Sequence, residues 1–144
     1  MDTPQGTVTP YPLAMVICDG VWQDPYTSKF TLIGTFSSIG GRKFPLVHPI
    51  MSVYVSLTDG RGKLPVRIEL VDVDEQREPI LGMSDDVDFF DPRMIFEGVF
   101  QAMGVVFPEA GEYRLKLFAN NEFLIERRIL VLPPPDEKKT ESGP

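Results

Sequence analysis

Few residues in this chain have side chains suited to catalysis or metal binding, and their spacing bears on each possibility in turn. His48 is the single histidine, set between Val47 and Pro49. Acid–base work with a nucleophile would need a hydroxyl or thiol within hydrogen-bond reach of it. No G-x-S-x-G elbow, Walker loop or G-x-G-x-x-G opening a helix is present to supply that chemistry or to cradle a phosphate. His48 therefore reads as a loop residue entering a strand and bonded to a backbone carbonyl. Cys18 closes the apolar run Leu13 to Cys18, where burial raises the thiol pKa and leaves it as inert packing. One cysteine and one histidine cannot furnish a tetrahedral zinc site. Calcium asks for about six to eight oxygens. The acidic segments, Asp72, Asp74 and Glu75, then Asp85, Asp86, Asp88 and Asp91, lack EF-hand spacing. They read as solvated loops, with a weak divalent site expected only if both meet at one end of the fold. Glycoside hydrolysis needs two carboxylates across a cleft, and nothing singles out such a pair among 21 acidic residues. The expectation is a non-enzyme with no catalytic, cofactor-binding or metal-binding residue.

Exposed aromatics are the stronger lead. Trp22 and Tyr26 fall in the polar loop VWQDPYTSK, and Phe89-Phe90 interrupts the acidic SDDVDFFDP. An aromatic so placed either caps the open end of a core or anchors a partner. Trp22, Tyr26, Phe89 and Phe90 are thus the candidate partner-binding residues.

The elements that must position them are strands. Leu13 to Cys18 reads as a strand covered on both faces, ended by Asp19-Gly20. Phe30 to Ile39 mixes β-branched and aromatic residues and is broken by Gly40-Gly41. Met51 to Thr58 alternates apolar with polar, as do Val66, Ile68 and Leu70 with Arg67 and Glu69 after the turn at 59–62. These two segments are expected to pair as antiparallel neighbours. Ile80 to Met83 reads as a short edge strand, SDDVDFFDP as a loop, and Met94 to Phe107 as a long strand bent or bulged at Gly98 or Gly104. The final hairpin, Gly111 to Leu132, turns at Asn120-Asn121. A plain two-residue turn there sets Glu126 and Arg128 beside Leu115 and Tyr113. The register therefore predicts a longer turn or a bulge before Ile129, with Tyr113 packed inward.

Together these segments make one all-β, antiparallel sandwich of about seven to nine strands with little or no helix. Residues 1–11 are expected as a flexible lead, 12–133 as the domain and 134–144 as a disordered proline-rich tail. The net charge of −7 opposes unaided nucleic-acid binding. The pairs Arg42-Lys43 and Arg127-Arg128 are too few for a basic stripe and read as solvated. With one cysteine, no signal-peptide pattern and no long apolar run, the chain is expected to be cytoplasmic, with no membrane partner.

Cys18-Asp19, KFTLIGTFSSI, Phe44-Pro45 with His48-Pro49, VYVSLTDGRG and the G-x-Y before the hairpin resemble a family of small uncharacterised bacterial proteins over about residues 13–132. The resemblance implies an immunoglobulin-like β-sandwich, in which the G-x-Y tyrosine anchors a corner, and implies no activity or cofactor. The functional expectation is a protein-interaction or structural module that self-associates or docks a protein partner through an edge strand or aromatic loop. The alternative is a small-ligand or carbohydrate-binding domain using Trp22 and Tyr26.

Overall fold

A computed structural model describes residues 6–74 and 77–135. They form nine strands and, among the described residues, no helix: β1 (Tyr11–Gln23), β2 (Phe30–Thr35), β3 (Ser38–Gly40), β4 (Leu46–Thr58), β5 (Gly62–Asp72), β6 (Leu81–Phe89), β7 (Ile95–Phe107), β8 (Gly111–Ala119) and β9 (Glu122–Leu132). One sheet runs β2-β1-β4-β7 and the other β3-β9-β8-β5-β6. Alternation explains the core between them. Met15, Ile17, Met51, Val53, Val55 and Leu57 from the first sheet meet Leu64, Val66, Ile68, Leu70, Leu115 and Leu117 from the second in one buried cluster.

Five sequence expectations change. First, β4 and β5 do not pair: β4 lies between β1 and β7, β5 between β8 and β6. Two alternating strands joined by a turn bury their apolar faces equally well side by side or opposed across a core, and here they oppose. Second, Asp19-Gly20 does not end β1, which continues to Gln23 paired with β2. Third, SDDVDFFDP is largely strand: Asp85, Asp86, Asp88 and Phe89 all belong to β6, opposite Val66, Pro65, Lys63 and Gly62. Aspartate disfavours strands, which masked the period-two row Leu81, Met83, Val87 and Phe89. Fourth, one pairing is parallel, β3 with β9. Phe36 N–H donates to Ile17 O, and Leu130 N–H donates to Ser37 O, so the segment after β2 passes from one sheet to the other. Fifth, the segment expected as a lead is partly tied down, since Val8 bridges Arg61 and β1 opens at Tyr11. The proposed tail beyond residue 135 lies outside the described residues.

Gly104, at φ +63°, opposes Pro49, and the pair inverts the pleat of both strands without changing their register. Ala102 and Met51 point inward before it, Val105 and Phe107 after it. Gly34, at φ +69°, does the same opposite Asp19. The β1–β2 hairpin curls back over β4, and the Phe30 ring meets Tyr54 edge to face at 5.6 Å. That fold-over helps bury Cys18 and Ser52 on the outer side of their sheet.

The closing hairpin combines both halves of its register problem. Asn120 and Asn121, at φ 54° and 64°, make the tight two-residue turn, and a bulge follows: Leu117 pairs with Ile125, Phe118 with Phe123, leaving Leu124 extra. The bulge lies closer to the turn than Glu126, and it brings Ile129 opposite Tyr113. Tyr113 is buried against Phe107, with ring centroids 5.0 Å apart. Its hydroxyl donates to Glu109 O at 2.6 Å.

Candidate functional site

Two layers of strands have two open sides, and this fold treats them differently. On one side the chain crosses between sheets at 36–38. There Arg127, which the register turns toward the core opposite Leu115, donates from Nε to Met15 O at 3.1 Å. Arg127 is thus a stitch between β9 and β1 rather than a merely solvated charge. On the other side, edge strands β6 and β7, linked by the loop 90–94, enclose a groove of about 550 Å³, within the range of ligand sites. Met83, Val87, Met94, Phe96 and Phe100 supply its apolar walls and Val66 its floor. Asp85, Asp86 and Asp88 stand on the β6 side.

The local sequence accounts for this geometry. Asp85 occupies the inward position of the row 81-83-85-87-89, paired with fully buried Val66, so its carboxylate faces the space where another strand's apolar side chain would otherwise pack. Inward charges of this kind are a known guard on sheet edges. The backbone confirms which groups are free. Pro65 O accepts from Asn120 N–H, so its peptide groups face β8, and those of Leu64 and Val66 face Val87 and Asp85. By alternation the N–H and C=O groups of Gly82, Ser84, Asp86 and Asp88 point away from the sheet. The Asp86 N–H is capped at 2.9 Å by Asp85 Oδ1. On β7, the bond from Phe36 N–H to Ile17 O sets the same alternation through β1 and β4, leaving Glu97, Val99 and Gln101 with free groups. Sequence reading missed this groove, and its one available signal was the charge at position 85 within an otherwise apolar row.

The expected anchors separate. Phe90 is 80% exposed, Tyr26 94% and Trp22 53%. Trp22 lies in β1 and Tyr26 in the turn of the β1–β2 hairpin, which contributes nothing to the groove walls. Phe90 lies in the loop that links the two walls but is not itself among the residues that line the groove. Phe89 is corrected: it is 1% exposed, stacked edge to face on Phe96 at 6.1 Å and packed on Gly60, where an added Cβ would come within 2.8 Å of the ring. It caps the core and cannot anchor a partner.

The other candidates stay apart from the groove. His48 is not a loop residue but belongs to β4, 3.8 Å from Asp19 and tilted over Phe36 at 5.2 Å. Among the described residues no hydroxyl or thiol hydrogen-bonds it. The Cys18 thiol donates to Gly20 O at 3.3 Å, and burial pushes its pKa up. Tyr54 donates to Glu97, and burial, reinforced by that carboxylate, raises its pKa as well. The acidic segments do not meet. Asp72 is held by Arg77 at 2.8 Å, which also binds Glu109, while Asp85 to Asp88 lie farther along β6. Among the described residues no group of three potential metal ligands forms, and Glu75 lies outside them. No helix there is long and apolar enough to cross a membrane.

Among curated proteins no sequence match to the chain is found. A family model does match, over residues 13–132, which takes in all nine strands apart from the first two residues of β1. The chain belongs to the family of unknown function DUF6941.

Proposed function

We propose that this protein is a non-enzymatic interaction module that docks an extended segment of a protein partner in the seam between β6 and β7. The observation that carries the reading is the pairing of an apolar groove with two unpaired strand edges. Strand addition draws affinity from main-chain bonds and specificity from pockets for alternate side chains. In the same reading the fold is an immunoglobulin-like sandwich of bacterial origin, working in the cytoplasm. Tyr113 supports the fold assignment, because a phenol near the start of a strand that bonds a carbonyl four residues upstream is the tyrosine-corner arrangement. The net charge of −7 argues against nucleic acid as the partner.

The test is a random extended-peptide array probed with the full chain, followed by amide chemical-shift mapping of selected peptides. The expected result is shifts confined to β6, β7 and the loop at Phe90. Binders whose shifts map elsewhere, or no binders, would refute the proposal. Light scattering during dilution shows whether a second copy fills the partner's role. Bare Trp22 and Tyr26 favour one further reading, stacking on a carbohydrate. Quenching of the single tryptophan by a glycan would support it.

A further inference from the structure

We infer that the segment received by the β6–β7 seam is a basic strand, alternating apolar residues with lysine or arginine; this rests on the docking reading above. Stacked sheets lie roughly 10 Å apart and paired strands about 4.8 Å. Pairing runs in the plane of a sheet, so a strand laid beside β6 at that spacing continues its sheet along the mouth of the groove. Among the described residues the unpaired peptide groups are those of Gly82, Ser84 and Asp88 on one edge and Glu97, Val99 and Gln101 on the other.

Side chains on one face of the incoming strand enter the groove against Val87, Met94, Phe96 and Phe100. Those on the other face meet the outward row of β6, where Asp86 and Asp88 stand, the latter across from Lys63 on β5. Asp85 adds a carboxylate inside the groove itself, and among the described residues no lysine or arginine lines it. The seam thus offers apolar contact on one side of an added strand and negative charge on the other. Opposite charges placed across strands stabilise pairing and like charges oppose it. The groove wall on β6 runs over Met83–Asp88, a length that an occupant of about six residues spans at about 3.3 Å per residue.

The experiment uses the full chain and two synthetic ten-residue peptides, one alternating valine with lysine and the other valine with glutamate. Amide chemical shifts report the site and titration the affinity. The lysine peptide is expected to move β6 and β7 signals and to bind at least about tenfold more tightly than the glutamate peptide, with the difference shrinking as salt screens it. Asp86→Asn removes the charge of an exposed outward carboxylate that the lysine side chains face. It should weaken the lysine peptide about three- to tenfold with the native melting temperature retained. Equal binding of both peptides in the seam would overturn the charge inference and leave the docking reading standing. No shift in β6 or β7 with either peptide would overturn both.

Discussion

Replacing Tyr113 by phenylalanine isolates a single polar contact in an otherwise apolar setting. The ring would keep its packing on Phe107. What is lost is a hydroxyl that donates to Glu109 O at 2.6 Å and accepts from Glu109 N–H at 3.3 Å. A net hydrogen bond contributes about 0.5–1.5 kcal/mol, and a partner left buried and unsatisfied costs up to about 3. Glu109 is itself exposed, so water can take over its peptide groups, and the expected loss is about 1 kcal/mol. With a urea m-value of about 1–3 kcal/mol/M, the midpoint should fall by about 0.3–1 M at unchanged m. Tyr113→Ala also empties the site of a buried ring and should cost about 3–5 kcal/mol. The reasoning fails if the phenylalanine variant matches the native midpoint or is as unstable as the alanine variant. The phenol has a pH consequence too. Burial raises its pKa, so its contribution is fully present below the ordinary tyrosine value of about 10. It disappears as pH rises through the folded value, and Tyr113→Phe should flatten that alkaline decline.

The remaining predictions follow from backbone and burial. Gly104→Ala should destabilise by about 1 kcal/mol because φ is +63°, whereas Gly82→Ala, with open space at its Cβ position, should be near neutral; thermal melts compare them. Asn121→Gly, at φ 64° in the two-residue turn, should raise the melting temperature slightly. Cys18, fully buried with a raised pKa, should react with a thiol reagent at neutral pH only after denaturant is added. Phe89→Ser should unfold the domain, while Phe90→Ser should leave the circular dichroism spectrum unchanged.

Most strands were legible because their alternation is written in residues that favour strands: Met51 to Thr58 and the hairpin from Gly111 both read directly. The hairpin even revealed its own bulge, since Glu126 and Arg128 could not share a face with Leu115. What was hidden is what alternation does not encode. It does not say whether β4 and β5 lie side by side or face each other, since both arrangements bury the same side chains. It failed at β6, where three aspartates outweighed Val87 and Phe89, and the misreading extended to the site. Phe89 and Phe90 are adjacent and alike in composition, yet strand geometry sends one into the core and the other into water. Arg127 read as solvated because its carbonyl partner, Met15, is distant in sequence.

That carbonyl contact gives the molecule a mechanical polarity. With Arg127 and the crossing segment fastening one side, the two layers resemble a book bound along a spine, free at the page edges where β6 and β7 lie. Thermal opening should begin at those edges, since local unfolding starts where the fewest contacts must break. Hydrogen exchange should run fastest at Ser84 and Val99 and slowest near Ile17, and an occupant of the groove would act as a clasp.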